Sequence, residues 1–177
     1  MNNMLKFLKY IFLFSLIISI LCSFGIVYVL WKYTPDLPDY DKITNYQPNL
    51  TSRLYSSDGL LLKSFYKEER IYIPFNRIPK EVVNAFISAE DKKFFKHYGI
   101  DLLAILRAFI SNISNYGSSK RTIGASTITQ QVVKNLLLTN ELSYERKIKE
   151  IILAIRVENV LSKNKILELY LNDIYLG

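Results

Sequence analysis

The chain has 177 residues, half of them hydrophobic, and its 23 Lys and Arg outweigh 16 Asp and Glu to give a net charge of +7. That length allows one domain with a small appendage, and the positive surplus suits an anionic partner: a membrane surface, a phosphate-bearing substrate or a nucleic acid. One cysteine and one histidine exclude an intrachain disulfide and a Cys/His zinc site.

From Tyr10 to Trp31 no residue is charged, and Ile, Leu, Phe and Val dominate. This run is long enough to cross a hydrocarbon core about 30 Å thick. It reads as a transmembrane anchor (10–31) behind a short cytoplasmic tail (1–9). A cleaved signal would show a shorter apolar core and a small-x-small site, and Leu21 before Cys22 is not the small residue of a lipoprotein. Cys22 is then an apolar residue of the span. Lys6 and Lys9 precede the span, whereas Asp36, Asp39 and Asp41 dilute Lys32 and Lys42 after it. The positive-inside tendency therefore keeps the amino terminus cytoplasmic and exports the remainder, which removes nucleic acid from the partners.

Residues 32–75 read as a stem. Thr34-Pro35-Asp36-Leu37-Pro38-Asp39 is stiff and non-helical, because proline fixes its own φ and restricts the residue before it. Ser52–Tyr55 and Leu60–Phe65 flank Ser56-Ser57-Asp58-Gly59, and Asp-Gly between β-prone runs predicts a hairpin. Lys67–Arg70 is a charged turn, and Ile71–Pro74 a last extended piece.

Residues 76–177 read as the functional domain. A helix starts after Pro79 and carries Val82, Phe86 and Ala89 as a buried stripe with Glu90 at its edge. A carboxylate there sheds water and faces the negative end of the helix dipole, the setting of a group that takes up a proton. The plainer reading makes Glu90 and Asp91 solvated ion-pair partners of Lys92, Lys93 and Lys96. Asp101 caps a helix from Leu102 to Ile113 whose face of Leu103, Leu106, Arg107 and Ile110 is mostly apolar, as in a core or membrane-proximal helix. Asn115–Arg121 has the composition of a mobile loop.

In the next helix, capped by Ser126 or Thr127, Thr127, Gln130, Gln131 and Lys134 recur at i, i+3, i+4, i+7, opposite an inward face of Ile128, Val132 and Leu136. Hydroxyls and carboxamides with one lysine suit a sugar and a phosphate better than ordinary solvent exposure. Ser143 caps a helix to Leu161, with Ile148, Ile151, Ile152 and Ile155 inward. On it Arg146 and Lys147 lie four and three residues before Glu150, near enough to keep its carboxylate charged; the plainer alternative is a surface ion pair worth at most about 1 kcal/mol. Ser162 caps a last helix, Lys163 to Leu171.

Four ordered stretches, Glu90-Asp91-x-x-Phe94-x-x-His97-x-Gly99, Gly124-Ala125-Ser126-Thr127-Ile128-Thr129-Gln130-Gln131, Arg146-Lys147-x-x-Glu150 and Lys163-x-x-Ile166-Leu167-Glu168-x-Tyr170-Leu171-Asn172, together resemble the motifs of the peptidoglycan glycosyltransferases. The stem and hairpin resemble those of the bifunctional class A penicillin-binding proteins of the 1A type. The resemblance implies a mainly α, lysozyme-like transferase domain with a small β stem and one amino-terminal transmembrane helix in the bacterial cytoplasmic membrane, its catalytic part on the outer side. It implies that lipid II is polymerised into β-1,4 glycan with inversion and release of undecaprenyl pyrophosphate. Glu90 would be the base, with Asp91 holding it in place. Glu150 would act on the donor side, orienting Lys134, Arg146 and Lys147 or holding a divalent cation (Mg or Mn) at the pyrophosphate; no residue is a certain metal ligand. Ser126, Thr127, Gln130 and Gln131 would bind substrate, and His97 would be structural. The implied partners are lipid II, the growing glycan strand, the bilayer and other cell-wall synthesis proteins.

The family pattern continues into a fifth motif that is not reached by Gly177, and no transpeptidase signature is complete in these residues: Ser-x-x-Lys at Ser64–Lys67 and Ser162–Lys165 and Ser-x-Asn at Ser162–Asn164 are isolated matches, with no Lys-Thr-Gly. The expectation is a carboxy-terminally incomplete transferase domain, weakly active or inactive alone. The competing readings are a lytic muramidase on the same glycan and an inactive anchored remnant that binds lipid II or cell-wall partners.

Overall fold

A computed structural model describes residues 2–39, 43, 52–65, 71–117, 122–139, 141 and 143–174. The charged turn expected at 67–70, residues 118–121 of the polar loop and the final 175–177 lie outside the described residues. The chain divides into two units, Met1–Leu37 and Pro38–Gly177.

The first unit is α1, Asn2–Tyr33. Its segment Lys6–Tyr33 has a mean hydropathy of 2.5 and buries nothing within the protein. At about 1.5 Å per residue, that segment is longer than the hydrocarbon core it is suited to cross. The helix gives way at Thr34, just before Pro35, whose ring cannot continue the ladder.

In the second unit, β1 (Ser52–Tyr55) and β2 (Leu61–Phe65) form an antiparallel hairpin pairing Ser52 with Phe65 and Leu54 with Lys63. Gly59 takes φ +79 in its turn, the role that Asp58-Gly59 predicts. The helices are α2 (Lys80–Glu90), α3 (Leu102–Ser114), α4 (Ile128–Leu137), α5 (Tyr144–Val160) and α6 (Lys163–Asp173). Asp101, Ser143 and Ser162 cap α3, α5 and α6 as expected. Thr127, not Ser126, caps α4.

The core forms where α4 packs on α5 and α6. Val132, Val133, Leu153, Val157, Ile166 and Leu167 are buried there, with Phe94 beneath the turn that follows α2. Each such side chain contributes about 1.5–3 kcal/mol by leaving water. Because α6 is covered by α4 and by the short helical turn Phe75–Arg77, five consecutive residues from Ile166 to Tyr170 are buried, and a helix too short to stand alone is held by its surroundings.

Two expected faces are turned. On α2, Val83 is buried and Phe86 and Ile87 half-buried, while Val82 and Ala89 are exposed. The Phe86 ring meets Tyr170 edge-on, with centroids 5.9 Å apart, so this member of the expected stripe stays inward while Val83 replaces Val82 beside it. On α5 the inward residues are Ile152, Leu153, Ala154 and Val157, and Ile155 is exposed. Ala154 faces in because the Gly99 turn lies directly on its backbone. α3 buries only Ala108, leaving Leu102, Leu103, Leu106, Phe109, Ile110 and Ile113 exposed.

Candidate active site

The turn from Asp91 to Gly99 is the site's foundation. Asp91 is buried, and its carboxylate accepts from His97 Nε2 at 2.9 Å and from the backbone N–H of Ile128, the first residue of α4, at 3.2 Å. A carboxylate at a helix amino terminus is favoured by the dipole and by the unpaired N–H groups there. Thr127 Oγ donates to the Gly99 carbonyl at 2.6 Å. Gly99 has φ +87, and a Cβ there would lie 2.7 Å from the Ala154 backbone, so only glycine fits between the turn and α5. Asp91 therefore acts on the turn and on α4 rather than directly on Glu90.

Glu90 is exposed at the end of α2 rather than at the edge of a buried stripe. Its Oε2 accepts from Gln131 Nε2 at 2.9 Å. It lines a groove of about 540 Å³ shared with Lys92, Lys93, Arg107, Gly124 and Ser126.

The polar face of α4 divides in two. Gln130 is buried, and its Oε1 accepts from the Thr127 N–H at 2.9 Å while Thr127 Oγ accepts from the Gln130 N–H, a capping box. Both side chains thus serve the helix end, and Thr127 also lines the groove that holds Glu90. Gln131 and Lys134 are half-buried on the same helix; Lys134 carries no ion pair among the described residues.

Lys147 Nζ donates to Ser126 Oγ at 2.9 Å and also contacts Glu150 Oε1. Arg146 Nη1 lies 3.8 Å from Glu150 Oε2. Glu150 is 2% exposed, so it tethers both cations from below, and through Ser126 this cluster reaches the groove that holds Glu90. The Arg146 Nε is buried without a hydrogen-bond partner among the described residues. No group of three or more potential metal ligands occurs among the described residues, and the Glu150 carboxylate, the residue that would hold a divalent ion beside a pyrophosphate, is engaged by Lys147 and Arg146.

Two further networks hold the site, and the bonds in them that join different elements, such as Tyr72 to Glu168 and Thr129 to Glu158, span too much sequence for spacing to reveal. Thr129 Oγ donates to Glu158 at 2.5 Å, and Lys163 Nζ reaches Glu158 at 2.6 Å and the His97 carbonyl at 2.8 Å, over the Phe94 ring at 4.3 Å. This joins α4, α5, α6 and the Asp91–Gly99 turn. In the second, Glu168 accepts from the Phe75 N–H at 2.7 Å and contacts Tyr72 and Lys165. Asn172 pairs with both the N–H and the carbonyl of Ile73, at 2.8 and 2.9 Å. Burial alone would raise Glu168, but the hydrogen bonds from Lys165, Tyr72 and Phe75 outweigh it and hold the carboxyl below its ordinary range. The fourth motif singles out Lys163, Glu168 and Asn172 in the sequence, but not what they bind.

A family model described as Transglycosylase matches residues 58–177. The chain is similar to penicillin-binding protein 1A of Rickettsia typhi, 49% identical over 176 residues that make up 99% of this chain and 22% of that protein. Against penicillin-binding protein 1A of Escherichia coli K12 the identity is 43% over 175 residues, 98% of this chain and 20% of the relative. Against that of Aquifex aeolicus it is 44% over 153 residues, 86% and 21%. The chain thus spans about a fifth of the length of these curated relatives.

Proposed function

The chain belongs to the transglycosylase family, and from that premise we propose that it polymerises lipid II into peptidoglycan glycan strands. The observation that carries this reading is one groove holding both the exposed Glu90 carboxylate and, through Ser126, the Lys147–Glu150–Arg146 cluster. An alcohol is a weak nucleophile until a base removes its proton. Glu90 takes the proton of the 4-hydroxyl of the acceptor GlcNAc as its oxygen bonds to the anomeric carbon of the donor MurNAc. The bond from that carbon to undecaprenyl pyrophosphate breaks, and the departing charge is met by Lys134, Arg146 and Lys147. Attack opposite the leaving group inverts the centre and gives a β-1,4 link. Glu150 keeps the two α5 cations in place, Gln131 holds Glu90, and no step is routed through a metal.

In this reading α1 anchors the chain in the bacterial cytoplasmic membrane with the amino terminus inside, and the exposed apolar face of α3 suits the lipid end of the substrate and the bilayer. The growing strand is the second substrate, and other cell-wall synthesis proteins are the expected partners. Hydrolysis by a muramidase needs a second working carboxylate, and the adjacent one, Asp91, is engaged by His97 and Ile128.

The test is polymerisation of labelled lipid II in detergent by the wild type and by Glu90→Gln. Loss of a general base costs about 10²–10⁴-fold in rate, so the variant is expected to lose polymer at least to that extent while keeping its fold. A wild-type rate in Glu90→Gln removes Glu90 from the mechanism, and soluble fragments instead of lipid-linked polymer replace transfer by cleavage.

A further inference from the structure

Tyr170 is among the largest side chains in the core and only 2% exposed, yet its hydroxyl has no hydrogen-bond partner among the described residues. Its neighbours on α6, Ile166, Leu167 and Leu169, are apolar and buried. A phenylalanine of the same shape would avoid the penalty of an unsatisfied buried hydroxyl, so packing alone does not account for tyrosine here. The ring rests edge-on against Phe86, one turn before Glu90 on α2. Burial first, and then the negative charge of Glu90, push the phenol up to about 12, so it stays a protonated donor throughout the physiological range. Gln131 engages Oε2 of Glu90, and Oε1 accepts no hydrogen bond among the described residues.

We propose that Tyr170 is a positioning residue for Glu90, its buried hydroxyl donating to the free carboxylate oxygen when substrate fills the groove, so that the base is held from the core by Tyr170 and from the groove by Gln131. The resting structure keeps this donor unpaired and ready, and Phe86 couples its ring to the helix that carries the base. A carboxylate held by two donors presents its remaining lone pairs in one direction, which is what abstraction of a particular sugar proton requires. The proposal rests on the reading of Glu90 as the base.

The decisive variant is Tyr170→Phe, measured in lipid II polymerisation and in thermal unfolding of the detergent-solubilised chain. The expected result is a Tm equal to or above that of the wild type, a kcat lower by about 10-fold or more, and a KM for lipid II within about 2-fold. A purely structural tyrosine would instead lose kcat only in step with a lowered Tm, or lose nothing, and either result overturns the proposal. A thermal cycle with Glu90→Gln, run without and with lipid II, reads the contact itself: the Tm shifts of the two variants are expected to add without lipid II, where the hydroxyl is unpaired, and not to add with it, and additive shifts in both conditions overturn the proposal. A wild type that makes no polymer contradicts the proposed function, while the thermal cycle with lipid II bound still decides whether Tyr170 acts on Glu90.

Discussion

Replacing Gly99 by alanine tests the foundation of the site. At φ +87 an L-residue incurs a backbone penalty of about 1–2 kcal/mol. The new Cβ would also sit 2.7 Å from the carbonyl carbon and oxygen of Ala154. Both are main-chain atoms of the fully buried part of α5, so relief requires the turn to move, an overpacking cost of about 1–3 kcal/mol. If the turn moves, the 2.6 Å bond from Thr127 to the Gly99 carbonyl lengthens, adding about 1 kcal/mol. Together these come to about 3–6 kcal/mol, which for a unit of this size lowers Tm by about 10 °C or more. Gly59→Ala is the internal control: φ is +79, but nothing lies within 4 Å of its Cβ, so only the backbone penalty remains. Circular dichroism melts of the two variants in detergent measure the difference. Equal Tm values would refute the reasoning, because the clash with Ala154 would then cost nothing.

Two other results are expected from the same preparation. Gln130→Ala should lower stability by about 1 kcal/mol through loss of the capping box with KM little changed, whereas Gln131→Ala should leave Tm unchanged and reduce kcat; melts and lipid II kinetics on both variants separate the two. Glu168, held below its ordinary value of 4.5, stabilises the fold above that value and loses the contribution as pH falls through its lowered folded value, and Lys165, raised above 10.5, loses its contribution as alkaline pH passes that raised value. Glu168→Gln should therefore flatten the acid limb of stability against pH, and an acid limb unchanged from wild type would show that Glu168 does not carry it.

Features written locally were legible in the sequence. Asp58-Gly59 marks the hairpin turn, and Asp101, Ser143 and Ser162 each precede a periodic apolar run and cap it. The inward faces were harder to read, because neighbouring apolar residues offer two registers. Val82 with Phe86 and Val83 with Ile87 have the same spacing, and the inward face takes from both, burying Val83 and half-burying Phe86, against Tyr170, and Ile87. Thr127 and Gln130 illustrate a related degeneracy, since a separation of three residues describes both one face of a helix and a capping box. The motifs located Glu90, Gln131, Lys147 and Glu150 in one region, but not the exposure of Glu90 or the route from Lys147 to the groove through Ser126. Bonds such as Lys163 to the His97 carbonyl, 66 residues apart, belong to the packing of the core and leave no local trace.

The grip of Asn172 on Ile73 also has a mechanical meaning. Ile73 is pinned at both its N–H and its carbonyl, and Phe75 just beyond it is tied to Glu168. A pull arriving along the chain from the stem is met in shear by these bonds and passed into α6, which is packed against α4. The load is thus grounded in the core before it reaches α2, and the end of that helix, where Glu90 stands, is shielded from tension on the tether.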